Sequence, residues 1–356
     1  MSTPEPPIEA VAAVTQRLAV LLAAGVAPHA AWRYLAEHPA RASAGTPEWW
    51  GARLRLPARL ASRATSETER MTALTGAVLR SAAQAGARGG NIPEAIRGAV
   101  ATQPDGAAGE GAGRAPGGTR SEQAWLALAA AWFVAGEAGA PLAATLRELA
   151  GAFRAQAQLE RELAVALAGP RSTARLVGAM PLVAVLFGAL LGFDTVRTLV
   201  FTLPGLVCLA LGAGLMFAGA RWSGALVRRA SRAGGDTGLA VELTAIAMAG
   251  GMSAERARAL AVAAAERYLS AVTGPDIAVI DEVLALSRRA GVPAGELLRS
   301  EAGLVRVRAR SAGQQRAARL AVTLMIPLGL CVLPAFLLLG VMPLLISVLS
   351  STLRMF

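Results

Sequence analysis

Three long stretches without a charged residue govern what this chain can become. The first runs from Leu176 to Phe193, between Arg175 and Asp194. The second runs from Thr198 to Ala220, between Arg197 and Arg221, and the third from Leu320 to Leu353, between Arg319 and Arg354. A bilayer's hydrocarbon core is about 30 Å thick, so apolar runs of about 18 residues or more read as transmembrane helices. Covering three such helices in a soluble protein would take a very large core. The mean hydropathy of +0.48 is therefore concentrated where a membrane would be crossed.

Charge sets the expected orientation. The net charge is +11 over 356 residues, and all of the basic charge is arginine, with no lysine. Arg221, Arg228, Arg229 and Arg232 follow the second stretch; Arg306, Arg308, Arg310, Arg316 and Arg319 precede the third without an intervening acid. Positive charge beside a span marks its cytoplasmic side. The N-terminal region is thus expected in the cytoplasm, with a tight external turn at Phe193–Thr198. Residues from about Arg221 to Arg319 return to the cytoplasm. The N-terminus, Met1 to Pro7, is polar and proline-rich, so no cleaved signal peptide is expected.

The third stretch is long for one upright span, since about 34 helical residues reach about 51 Å. Pro327, Pro334 and Pro343 permit kinks. One tilted, kinked helix is expected, with an external tail turning polar at Ser347, Ser350, Ser351 and Thr352.

The remainder reads as all-α. Val14, Leu18, Leu21 and Leu22 share one helical face, as do Leu142, Leu146, Leu149 and Phe153. Alanine, the best helix former, is abundant. Residues 102–123 form a Gly/Ala/Pro-rich linker without periodicity. The stretch from His38 to Glu69 reads as a loop, with Trp49 and Trp50 as its anchors. The expected organisation is a first cytoplasmic helical domain over 1–173, a transmembrane hairpin over 174–221, a second helical domain over 222–319 and a C-terminal transmembrane helix over 320–353.

An internal repeat gives the cytoplasmic parts their form. EAGAPLAATLRELA, Glu137 to Ala150, aligns without gaps with RAGVPAGELLRSEA, Arg289 to Ala302. Gly139 pairs with Gly291, and Pro141 with Pro293. Each copy leads into an arginine-bearing segment and then an apolar stretch. A looser pair matches LLAAGVAPHAAW, Leu21 to Trp32, with IAMAGGMSAERA, Ile246 to Ala257. Gly25 and Pro28 mark the first of these turns, and Gly251 and Ser253 the second. Glycine after a helix adopts the left-handed conformation, and proline suits the first turn of the next helix. Ser253 is expected to cap its helix. Asn91 and Glu94 have capping-box spacing in GGNIPEAI.

Several chemistries are excluded. Without lysine there is no P-loop of the GxxxxGK[ST] type and no Schiff-base lysine. His29 and His38 are the only histidines, so no metal-ligand cluster and no metal or other cofactor is expected. Gly251-Met252-Ser253 lacks a partner histidine for nucleophilic catalysis. The apolar stretches carry none of the ionisable groups that mark proton or ion pathways. Cys208 and Cys331 lie inside apolar stretches and read as packing residues. Gly205, Gly212 and Gly219 recur every seven residues, presenting a small face to a neighbouring helix of this chain or of a second copy. Arg306, Arg308, Arg310, Arg316 and Arg319 suit anionic lipid headgroups or an acidic partner. Glu137, Glu148 and Arg289, beside the repeated turns, are candidate partner contacts. Nucleic acid is not an expected partner.

In motif order the chain resembles the F family of type II secretion and type IV pilus systems, in its tight-adherence (Flp) pilus form, the TadB/TadC-like proteins. The resemblance rests on LAVLLAAGVAPHAAWRYLA, GEAGAPLAATLRELA, AGVPAGELLRSEA and ARLAVTLMIPLGLCVLPAFLLLGVMPLLISVL. It implies a multi-pass platform in the cytoplasmic (inner) membrane, with two cytoplasmic helical bundles and three spans, and no enzymatic activity. Its implied partners are a cytoplasmic hexameric secretion or pilus assembly ATPase, pilin or pseudopilin subunits, and related platform subunits or a second copy as a homodimer. A permease driven by a separate ATPase is the alternative. It would need polar residues in the spans, and few are present. An intramembrane enzyme would need a reactive pair that the sequence lacks.

Overall fold

The computed structural model describes residues 7–38, 58–102, 119–190, 202–232, 238–269, 274–343 and 345. Among them the chain is helical, with no strand. The helices are α1 (Pro7–Ala23), α2 (Pro28–Glu37), α3 (Ala58–Ala87), α4 (Ile92–Ala101), α5 (Arg120–Ala138), α6 (Leu142–Leu190), α7 (Leu203–Arg232), α8 (Leu239–Ala249), α9 (Ala254–Tyr268), α10 (Gly274–Ala290) and α11 (Ala294–Thr323). A helical run then continues to Val341.

Two expectations change here. The stretch expected as a loop becomes helical at Ala58, where α3 begins; Trp49 and Trp50 lie outside the described residues. The linker ends earlier than its composition suggests. Thr119 accepts from the Glu122 backbone N–H while the Glu122 carboxylate accepts from the Thr119 N–H, a reciprocal capping box that starts α5. Thr119→Ala is expected to cost about 1 kcal/mol, measurable by thermal unfolding of the detergent-solubilised chain. Residues 103–118 lie outside the described residues.

Two compact units are present. The first comprises residues 1–161 and 235–310, and the second residues 162–234 and 311–356. In the first, the helices before residue 161 and those from residue 239 onward do not pack as separate bundles. One core runs through both, joining Leu18, Trp32, Leu79, Ile96, Trp125, Leu128 and Leu146 to Leu243, Ala247, Ala261 and Tyr268. The physical reason lies in two helices that are apolar all round, and such helices are buried on every side. Helix α5 buries twelve residues and packs against α1, α4, α8 and α9. Helix α8, LAVELTAIAMA, turns Leu243, Ile246 and Ala247 into this core. Its opposite face, Ala240, Val241 and Ala245, closes a smaller cluster with Ile280, Val283, Leu284 and Leu298.

The second unit is built the other way round. Its helix α7 buries small residues and exposes large apolar ones, among them Leu203, Leu206, Val207, Leu211 and Phe217. Val322, Ile326, Leu330 and Leu333 are likewise exposed on the C-terminal run. Such a surface is a liability in water and suits lipid. Two described helical segments are long and apolar enough to cross a membrane, Leu203–Leu226 and Ala294–Val341. The first apolar stretch is helical as far as Leu190, where α6 ends, and Val183, Leu186, Phe187 and Leu190 are exposed on it. The turn expected at Phe193–Thr198 lies outside the described residues, as does the polar tail. The C-terminal run continues from Ala294 to Val341, with π-helical turns at Leu328–Val332 and Leu337–Val341. Pro327 and Pro334 sit just before these turns or between them. A wider turn accommodates a residue that cannot donate and whose ring crowds the preceding turn.

Candidate functional site

The hairpin turns are the most regular feature of the first unit. Gly25, Gly89, Gly139, Gly251 and Gly291 all have positive φ, between 66° and 87°. In each case the next helix begins three residues later, at Pro28, Ile92, Leu142, Ala254 and Ala294. The backbone bonds around Gly25 show why. The Gly25 N–H donates to the Leu22 carbonyl (3.1 Å) and the Val26 N–H to the Leu21 carbonyl (3.0 Å), which closes the helix end in a Schellman motif. Gly89–Gly90 and Gly139–Ala140 repeat the pattern.

The expected turn residues divide by position. Pro28 is the first residue of its helix, whereas Pro141, Ser253 and Pro293 stand just before theirs. Ser253 holds the cap position, but its side chain makes no capping bond. Asn91 does cap, accepting from the Glu94 N–H at 3.1 Å. The Glu94 carboxylate is engaged by Arg97, Arg267 and Tyr268, so it does not complete a capping box. The looser sequence pairing shifts by one residue, because the left-handed glycine equivalent to Gly25 is Gly251 and not Gly250.

Gly250 instead makes the tightest approach in the unit. A Cβ placed on it would lie 2.0 Å from the Ala138 carbonyl oxygen and 2.8 Å from the Ala138 Cβ. The α8–α9 turn is thus pressed against the end of α5, beside the Gly139 turn. Two repeated hairpin turns meet at a point where only glycine fits.

A polar pocket of about 260 Å³ opens in the same unit, lined by Glu148, Glu242, Ala245, Arg299, Ala302 and Arg306. Glu242 forms its base, with its side chain only 10% exposed and its Oε2 accepting from Arg306 Nη1 at 2.9 Å. Burial pushes the Glu242 carboxyl above the usual carboxylate range; the Arg306 charge and hydrogen bond oppose this, and the negative charge of Glu148 adds to it. Glu148 lies on α6, and Arg299 and Arg306 on α11. Glu148 and Arg306 are among the contacts expected from the sequence, and Glu242 is not. A signal was available: Glu242 is the only charge in an otherwise apolar helix.

The other expected contact residues are dispersed. Glu137 and Arg289 are exposed at their separate turns. Arg308 pairs with Glu301 at 3.4 Å, Arg316 Nε donates to the Ala312 carbonyl at 3.2 Å, and Arg310 and Arg319 are exposed. In the second unit, Gly205 is buried and donates its N–H to Thr202 Oγ1 at 3.2 Å. A Cβ on Gly212 would meet Leu339 at 2.5 Å, and one on Gly219 would meet Cys331 Cβ at 3.0 Å. Cys208 and Cys331 are both buried and free. No group of residues able to hold a metal ion occurs among the described residues.

Residues 107–189 match the family described as Type II secretion system (T2SS), protein F. The match covers α5, the Gly139 turn and almost all of α6. No curated protein matches the chain, and no solved structure does. The protein F domain, lying on the helical hairpin that runs into the first apolar stretch, supports the type II secretion and pilus platform family for this chain.

Proposed function

We propose that the chain is a multi-pass inner-membrane platform of a type IV or tight-adherence pilus, or of a related secretion machine. It couples a cytoplasmic secretion ATPase to the assembly of pilin or pseudopilin subunits, with its N-terminus in the cytoplasm. The observation that carries this reading is the protein F match over a hairpin that leads directly into an apolar helix. The α10–α11 hairpin has the same Gly-x-Pro turn and leads into the 48-residue Ala294–Val341 helix.

An internal duplication is part of the proposal. Counted from the left-handed glycines, Gln16 and Glu242 each lie nine residues before a turn, and Arg154 and Arg306 each lie fifteen after one. Arg154 Nη2 donates to Gln16 Oε1 at 3.1 Å, and Arg306 Nη1 to Glu242 Oε2 at 2.9 Å. Helix α1 packs on α5 as α8 packs on α10. Equivalent helices thus make equivalent polar contacts in both halves, the second with a charged and buried acceptor.

In this reading the energy comes from a partner, and the platform supplies a rigid frame joined to membrane helices. Arg308, Arg310, Arg316 and Arg319 hold the cytoplasmic end of the C-terminal helix among anionic headgroups, Arg306 is committed to Glu242 within the first unit, and Glu137, Glu148 and Arg289 face the motor. Affinity purification of the tagged chain from membranes in mild detergent is expected to recover a hexameric secretion ATPase. Charge reversal at both Glu148 and Arg289 is expected to reduce that recovery severalfold. Repeated purification of the intact chain without any such ATPase counts against the proposal.

A further inference from the structure

We propose that Glu94 is a clasp that decides whether helix α9, in the second cytoplasmic segment, stays docked on the first. The inference concerns the folded unit alone and stands whether or not the chain serves a pilus.

The apolar contact made by α9 is thin. Its buried residues are Ala257, Ala261, Ala264, Ala265 and Tyr268. Alanines allow close approach to α5 and α8, but each brings only one methyl group. Tyr268 is the one large side chain among them, and it sits in the last turn; Leu260 and, just past the helix, Leu269 are only partly buried against the core. The start of α9 is secured by the Gly250–Gly251 turn to α8 and by Arg258, whose Nε lies 2.6 Å from Asp281 Oδ1 on α10. Its far end depends on what holds Arg267 and Tyr268.

Glu94, on α4, holds both. Tyr268 Oη donates to Glu94 Oε1 at 2.8 Å, and Arg267 Nε lies 2.8 Å from the same oxygen. Arg97 takes the other oxygen, with Nη2 at 2.6 Å and Nε at 3.0 Å from Oε2. Phe133 of α5 completes the arrangement, with its ring 5.7 Å from Tyr268 and the Arg267 guanidinium 5.6 Å from its centre. Hydrogen bonds to a charged group are the stronger kind. A helix end held by few apolar contacts is where local opening begins.

The electrostatics give the clasp a direction in pH. Partial burial pushes the Glu94 carboxyl up, but the hydrogen bonds from Arg97 and Tyr268 and the charges of Arg97 and Arg267 together hold it below its ordinary value of 4.5. A carboxyl depressed in the folded state contributes stability that is full above 4.5 and is lost as pH falls through the lower, folded value. The Tyr268 hydroxyl is raised, chiefly by burial and then by its bond to Glu94, so it remains a donor throughout.

Hydrogen exchange on the full-length chain in detergent tests this. In Glu94→Gln, amides of residues 260–268 are expected to exchange about tenfold faster, while those of α1 and α5 stay as in the wild type. Tyr268→Phe keeps the ring packing and is expected to shift the same amides less. The double variant is expected to match Glu94→Gln within about twofold, because both substitutions break one network. Wild-type protection of residues 260–268, corrected for intrinsic exchange, is expected to be full at about pH 6 and to fall below 4.5, whereas Glu94→Gln shows a clearly smaller fall, since only the Arg258–Asp281 pair at the other end of the helix still responds. Unchanged protection in Glu94→Gln, additive effects in the double variant, or a pH response undiminished by the substitution would each overturn the clasp.

Discussion

Gly250→Ala is expected to be among the most damaging single substitutions in the first unit. The added methyl would lie 2.0 Å from the Ala138 carbonyl oxygen and 2.6 Å from its carbon. These are backbone atoms at the end of α5, the helix around which the core is built, and no side-chain rotation can move them aside. Relief requires the α8–α9 turn to lift away from α5, which loosens Ile246, Ala247 and Tyr268 in the shared core. Overpacking of this kind costs about 1–3 kcal/mol, and backbone clashes belong at the upper end. The detergent-solubilised chain should therefore lose roughly 5–10 °C in Tm. Gly136→Ala is the matched control. It lies within α5, and nothing stands within 4 Å of the added Cβ. Replacing a helical glycine with alanine there should raise stability by about 0.5–1 kcal/mol. If both variants melted alike, the close approach of the two turns would be wrong.

Gly212→Leu should have the second large effect, in the other unit. A Cβ at this position would meet Leu339 Cγ at 2.5 Å and Cδ2 at 2.8 Å. The two helices pack through small surfaces, with Gly219 against Cys331 and Ala335 fully buried nearby on the C-terminal run. Lipid gives helices no hydrophobic reason to associate, so close packing carries the interaction. A leucine here forces the helices apart, at a cost of about 1–3 kcal/mol. The obstruction is a side chain, so it can be relieved. Gly212→Leu combined with Leu339→Ala should recover at least about half of the lost stability. A Gly212→Leu protein as stable as the wild type would show that these helices do not pack on this face.

These two glycines also show how far the sequence could be read. Gly212 belongs to a heptad series visible by spacing alone, because helical periodicity turns position into direction. Gly250 carried no such signal. Its neighbour Gly251 takes the left-handed turn, and the need for glycine at 250 comes from a carbonyl more than a hundred residues away. The hairpins were legible for a local reason: a helix end needs a residue of positive φ, and glycine supplies it. What they pack against was not. The sequence suggested two bundles, and the described helices share one core. The all-round apolar character of LAVELTAIAMA contained that information, since a helix with no polar face must be covered on both sides. Its single carboxylate, Glu242, likewise pointed to a buried pair with a base. The Glu94–Tyr268 bond spans 174 residues of sequence, and no local pattern announces it. Composition blurred the boundaries near 58 and 119, because helix starts there depend on caps and tertiary packing more than on alanine content.

The proposed function is that of a membrane platform acting through partners. An in-frame deletion of its gene in the native strain tests this most directly, with surface fibres imaged and secreted proteins measured before and after complementation. Fibres or the machine's secreted products are expected to disappear, while pilin accumulates unassembled in the membrane. Restoring the wild-type chain brings assembly back. A deletion strain that still builds fibres and secretes normally would contradict it.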